Sequence, residues 1–155
     1  NNRYINERLP YDIINSYMKD EYLSILMVDI DNFKEINEKL GHNCGNIILM
    51  EFAELLEKSI LRYNGWVARY TADIFIVVLI NSPIERANQW AEDFRSFIEN
   101  YRFSCKEGEN TQITTSIGVY SKKKVEDTME KLINRSKLNL GRAKEQGKNC
   151  VVTNG

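Results

Sequence analysis

With 155 residues, 43% hydrophobic and 28% charged, the chain has the size and balance of one globular domain with a real core. Its 21 Lys and Arg against 22 Asp and Glu leave a formal net charge of −1, which excludes a bulk polyanion footprint, so no nucleic-acid partner is expected. The three cysteines, at irregular spacing and without a C-x-x-C pair, argue against a disulfide framework or zinc site and for free thiols in a reducing cytoplasm.

Tyr4, Ile5, Leu9, Ile13, Ile14 and Tyr17 recur at a loose helical spacing that Pro10 interrupts, predicting two short helical pieces within 2–18. Tyr22–Asp29 is mostly apolar and too short for a core helix, so it reads as a buried strand. A short helix over Asn32–Leu40 shows Phe33, Ile36 and Leu40 on one face and stops at Gly41. Asn43 is the expected N-cap of a second helix, on Ile48, Phe52, Leu55, Leu56 and Ile60, ending near Asn64-Gly65. Trp66–Tyr70 and Ile74–Ile80 read as a hairpin with Thr71-Ala72-Asp73 at its tip.

Ser82-Pro83-Ile84-Glu85 carries the marks of a helix start: an N-cap, a first-turn Pro and a capping-box Glu. Its expected buried stripe is Ile84, Ala87, Trp90, Phe94, Phe97 and Tyr101, read as core packing. Gln112–Tyr120 alternates as a half-buried strand. Val125–Lys144 is helical and ends at Gly147, and Asn149–Thr153 is a last short strand. A single mixed sheet covered by helices accounts for this order, and the whole span 1–155 is expected to be one domain. No apolar run approaches the ~18–20 residues of a membrane span, and no signal peptide is visible. Because the chain opens mid-pattern without Met, it is expected to be cut from a longer protein, itself cytoplasmic or membrane-anchored.

The chemistry gathers at Met27-Val28-Asp29-Ile30-Asp31-Asn32-Phe33-Lys34-Glu35-Ile36-Asn37, followed by Gly41-His42 and Gly45-Asn46. Two acids at the carboxyl end of a buried strand, facing a turn into a helix, make a concave place to hold a hydrated metal ion. Asp31 serves equally as a cap on that helix, and His42 reads as a structural residue of the Gly-His turn rather than an acid or base.

This stretch resembles the first signature of the GGDEF, or diguanylate cyclase, family. So do Arg69-Tyr70-Thr71-Ala72-Asp73-Ile74-Phe75, Thr115-Ser116-Ile117-Gly118-Val119 and Ala143-Lys144-Glu145-Gln146-Gly147-Lys148-Asn149, with Asn2-Arg3 matching the usual opening. The segments stand in the family's order and cover essentially the whole chain. The resemblance implies an α/β (α+β) fold: a ferredoxin-related, palm-like domain with a central mixed, mainly antiparallel sheet covered by helices. It also implies GTP binding with Mg²⁺, and two domains meeting face to face to make cyclic di-GMP and two pyrophosphates. Asp29 matches a metal-binding acid, with Ile30 offering its backbone carbonyl. Asn37 matches a guanine-contacting residue, and Phe33 with Lys34 flanks the phosphate loop. Lys144 matches a triphosphate lysine, though a solvated helix-end cation is its plain alternative.

Several positions depart from the family pattern. The hairpin that should read Gly-Gly-Asp/Glu-Glu-Phe reads Thr71-Ala72-Asp73-Ile74-Phe75. A β-branched Thr suits positive φ poorly, and Ile74 replaces a metal-ligating carboxylate with a side chain that cannot coordinate. Asp73 remains as a residual catalytic and metal-binding acid, so one Mg²⁺ is expected rather than two. Asn46 stands where an Asp accepts from guanine, which turns one acceptor into a donor and weakens base selectivity. Lys148 replaces an Arg, losing the planar fork for phosphate. Of the inhibitory-site R-x-x-D only Arg62 remains, and Lys137 and Gly141 also depart from the usual pattern. The expectation is a degenerate GGDEF domain of cyclic di-GMP signalling, catalytically inactive. It would bind GTP or another nucleotide, or serve as a regulatory module through a homodimer or a neighbouring EAL phosphodiesterase domain. The alternative is a weak diguanylate cyclase.

Overall fold

The computed structural model of the chain describes residues 2–106 and 109–153. In chain order the elements are α1 (Asn2–Lys19), β1 (Tyr22–Ile30), α2 (Phe33–Leu40), α3 (His42–Ser59), β2 (Gly65–Thr71), β3 (Ile74–Ile80), α4 (Ile84–Asn100), β4 (Phe103–Lys106), β5 (Glu109–Thr111), β6 (Thr115–Lys123), α5 (Met129–Glu145) and β7 (Val151–Thr153). Five strands form one sheet in the order β2-β3-β1-β6-β7, antiparallel except for β6–β7. The α+β, mixed and mainly antiparallel sheet is the architecture expected.

Strand β1 lies in the middle and is buried from Leu23 to Ile30, because both its faces are covered. Leu26, Val28 and Ile30 pack with Ile48, Phe52, Leu56, Trp90 and Phe94 under α3 and α4. Ile25 and Met27 point the other way, to Ile5 and Leu9 of α1 and Leu132, Ile133 and Leu140 of α5. The period of two along one strand thus divides the core into two layers. A Cβ at Gly118 would lie 2.1 Å from the Leu140 backbone N and 2.3 Å from the Ser136 carbonyl. Only glycine lets α5 press its backbone onto β6 there, and one turn further along that helix comes Lys144.

Several boundaries differ from the sequence expectation. Helix α1 runs unbroken through Pro10, whose missing N–H forfeits one bond while Ile5 and Leu9 stay buried. Gly41, at φ 91°, both stops α2 and precedes α3, so Asn43 lies inside the first turn and is not the N-cap. Helix α3 ends at Ser59, short of Asn64-Gly65, and α5 begins at Met129 with Thr128 capping the Lys131 amide. Before α4, Pro83 holds the cap position in extended backbone and no side-chain cap forms; the Ser82 carbonyl instead accepts from the Ser24 hydroxyl at 2.7 Å. Phe97 is 49% exposed rather than core. The β4–β5 hairpin, a separate two-stranded sheet, was not anticipated, and 112–114 lie outside β6.

The cysteine expectation is corrected as well. Cys44, in the first turn of α3, and Cys105, on β4, form a disulfide with Cα atoms 5.3 Å apart; Cys150 is free. Spacing along the chain says nothing of proximity when the fold brings residues 61 apart side by side.

Candidate functional site

The carboxyl end of β1 delivers two acids into different surroundings. Asp29 lies on the α5 side of the sheet, 4% exposed, with one oxygen engaged by the Lys144 ammonium and Oδ1 without a hydrogen-bond partner. Burial, and then the proximity of the Asp73 carboxylate, push the Asp29 carboxyl up to about 7 against the pull of Lys144. Asp73, half-buried in the β2–β3 turn, is tied to this end of β1 by the Ile30 amide, which donates to its carbonyl at 3.4 Å.

Asp31, also 4% exposed, is saturated. It accepts from the Thr114 hydroxyl at 2.7 Å, the Ser116 hydroxyl at 2.7 Å and the Asn149 amide at 3.0 Å. It therefore does not cap α2, whose preceding residue Asn32 is left-handed (φ 56°) with no side-chain cap bond. Asp31 joins the end of β1, the entry to β6 and the α5–β7 loop. Nothing in the sequence near Asp31 marks this role, because its partners come from far along the chain.

The hairpin tip differs from expectation in one detail. Thr71 stays in β2, and the positive φ falls on Ala72 (φ 41°), a residue without β-branching. The Arg69 guanidinium donates to the Ala72 carbonyl at 2.7 Å and braces the turn, a role the sequence did not suggest. Ile74 sits directly across from Asp29 in the β1–β3 register, so their side chains share a face. It packs against the apolar layer of α1 and α5. The position from which a carboxylate would meet Asp29 is filled by hydrocarbon.

Asn37 and Gly45 form the other wall. A Cβ on Gly45 would fall 1.7 Å from Asn37 Oδ1 and 3.5 Å from Phe33 Cζ, so the α3 turn leaves room for both side chains only because residue 45 is glycine. Asn37 Oδ1 is buried and lacks a donor. Lys34 is exposed in the first turn of α2. The Lys148 ammonium donates to Asn32 Oδ1 at 2.5 Å, at the mouth of the same turn. Asn46 is exposed and lines a cleft of about 460 Å³ between α3 and β2 with Met50, Arg69 and Phe75. A larger cleft of about 630 Å³, between α1, the end of β2 and α5, contains none of the expected site residues. Arg62 is exposed ahead of β2, at the strand end opposite the tip, and is not brought into the site.

The structure thus assembles Asp29, Asp73 and Lys144 at one point and Phe33, Asn37 and Gly45 at another. Among the described residues of the site, two buried acceptors are left without donors: a carboxylate oxygen, which calls for a cation, and an amide carbonyl, which calls for an N–H or O–H donor. Among the described residues no group of three or more His, Cys, Asp or Glu converges on a point, and Ile74 supplies nothing.

The site therefore sits on a mainly antiparallel sheet whose central strand ends in two acids beside a hairpin tip, with a Gly-His turn next to it. The chain belongs to the GGDEF family: residues 1–150 match the family described as diguanylate cyclase, GGDEF domain. It is 38% identical to diguanylate cyclase A of Treponema denticola over 142 residues, which is 92% of this chain and 38% of that protein. The active GGEEF domain of a diguanylate cyclase from Vibrio cholerae superposes with a TM-score of 0.84 at 28% identity, covering 92% of this chain and 89% of that one. Diguanylate cyclase SiaD of Pseudomonas aeruginosa, solved in complex with its activator SiaC, gives 0.91 at 26% identity over 98% of this chain and 57% of that one. The chain spans between about a third and a half of the length of the curated relatives it matches. Among the described residues no helix is long and apolar enough to cross a membrane.

Proposed function

We propose that this chain is a degenerate GGDEF domain of a larger cyclic di-GMP signalling protein, one that binds a nucleotide, GTP foremost, without converting it to cyclic di-GMP. The observation that carries this reading is the pairing of Asp29 with Ile74: the buried acid keeps an orphan oxygen, while its cross-strand partner is a half-buried hydrocarbon packed against the apolar core. Asp29, the Ile30 carbonyl and Asp73 would hold one Mg²⁺, which would neutralise phosphate charge. An ion there must share Asp29 with the Lys144 ammonium, or displace Lys144 toward the phosphates. Phosphoryl transfer, which stabilises both attacking and leaving oxygens, needs more negative ligands than this set supplies.

On the base side, the orphan carbonyl of Asn37 suits a ring N–H donor, and Phe33, Lys34 and Lys148 frame the α2 turn where phosphates would lie. Asn46 presents a mixed donor and acceptor to the base, which weakens preference for guanine. The domain would then act through occupancy, transmitted to a second copy or to a neighbouring domain such as an EAL phosphodiesterase.

Incubation with GTP and Mg²⁺ or Mn²⁺, followed by chromatography for cyclic di-GMP, tests this directly. No product is expected, together with a rise in Tm; saturation at ~100 times Kd corresponds to about 2.7 kcal/mol. Turnover that Asp29→Ala abolishes would instead establish a weak cyclase.

A further inference from the structure

The β4–β5 hairpin stands apart from the main sheet. Its register is irregular between Phe103 and Lys106, and a two-stranded ribbon of this length is marginal by itself. Two features hold it to the body: the fully buried Phe103 ring, and the disulfide from Cys105 to Cys44. The far end of that disulfide lies in the α3 turn whose next residue, Gly45, abuts Asn37. Whatever happens at the sulfur pair therefore reaches the Asn37 wall of the site through one peptide unit.

The two sulfurs are not equivalent. Cys44 is 5% exposed, whereas Cys105 is half-buried on a hairpin strand with exposed neighbours Ser104 and Lys106. An incoming thiolate reaches Cys105 more easily, which makes Cys44 the leaving group. Cys44 leaves as a thiolate in the first turn of an 18-residue helix, where unpaired amides and the helix dipole offset the cost of its burial among apolar side chains. The geometry favours exchange in this one direction.

We propose that Cys44–Cys105 is a thiol–disulfide exchange site, and that its opening by a dithiol releases the first turn of α3 from the β4–β5 hairpin. A thiolate of the reductant attacks Cys105 Sγ, and the electron pair of the S–S bond leaves on Cys44 Sγ. The second thiol of the reductant then displaces the Cys105 thiolate. The dithiol loses two electrons and becomes a disulfide; the protein gains two electrons and two protons. Re-oxidation takes the reverse course with a disulfide such as oxidised glutathione. The consequence for ligands rests on the nucleotide reading given above; the exchange itself does not.

The test uses the folded chain in glutathione buffers of graded composition, and separately in dithiothreitol, with differential alkylation read by mass spectrometry. The oxidised form should expose only the Cys150 thiol and the reduced form all three cysteines, interconverting without loss of the folded spectrum. Hydrogen exchange at the bonded amides 45–48 should quicken about tenfold on reduction while β1 and β3 amides hold their protection. Cys105→Ser should copy the reduced state and Cys150→Ser should leave the behaviour intact. A chain that always alkylates at three sites, a bond that yields only on unfolding, or unchanged exchange at 45–48 each overturns the proposal. GTP binding measured in both states separates the two readings. Weaker binding by the reduced form extends the effect to the ligand, and equal binding overturns that extension. Binding in neither state overturns the nucleotide reading, leaving the exchange result to stand on the alkylation and hydrogen-exchange data.

Discussion

Asp29 and Asp31 leave one strand two residues apart, equally buried, and do opposite things. Asp31 is enclosed by two hydroxyls and an amide and acts as a joint between three parts of the chain. Asp29 keeps one oxygen unpartnered, shares its surroundings with another acid, and is balanced by a lysine whose side chain is 38% exposed. A saturated buried carboxylate stabilises a fold, whereas an unsaturated one is an unfavourable arrangement that persists where a ligand completes it. Within one D-x-D, a satisfied acid and an unsatisfied one thus stand two residues apart.

The sharpest way to break this contrast is Asp31→Ala. It strands two hydroxyls and the Asn149 amide and should cost about 3–5 kcal/mol in urea unfolding, with altered protection where β1, β6 and β7 meet. Asp29 should behave in the opposite sense. Its carboxyl sits at about 7 in the folded chain against an ordinary value of 3.8, so the native state holds a proton that the unfolded chain has lost. Stability should therefore fall as pH rises from about 4 to about 7, by on the order of 2–3 kcal/mol, and Asp29→Asn should flatten that slope. A slope unchanged in Asp29→Asn would mean that another group carries it.

Gly45→Ala probes the second wall. The added Cβ must evict Asn37 Oδ1, which should cost about 1–3 kcal/mol and weaken any base contact made by Asn37, read by thermal melting with and without GTP. Lys148→Ala should be the mildest change. Its bond to Asn32 is exposed, so stability should move by less than about 0.5 kcal/mol while nucleotide affinity still drops, a split that calorimetry resolves.

Much of the architecture is legible along the chain because it depends on local periodicity. The apolar run of β1, the hairpin around Ala72-Asp73, the stripes of α3 and α4 and the stop at Gly41 all follow from spacing and backbone preference. Errors fall where a distant partner overrides a local signal. Pro10 does not break α1 because packing at Ile5 and Leu9 outweighs one lost bond, and the Ser82 cap signal gives way to a tertiary contact with Ser24. The β4–β5 hairpin leaves no periodic mark along the chain because its short segments are mostly polar and one buried Phe anchors them.

The sequence by itself determined which acids, amides and lysines are available, and that the hairpin tip reads Thr71-Ala72-Asp73-Ile74, because these are matters of composition. Only the tertiary structure decided what each does. Asp31 became a joint because Thr114, Ser116 and Asn149 converge on it, Ile74 came to lean on the apolar layer because β3 sets it across from Asp29, and Cys44 found Cys105 across the fold. Hydrogen bonds, burial and covalent sulfur pairing depend on distance in space, which spacing along the chain does not contain.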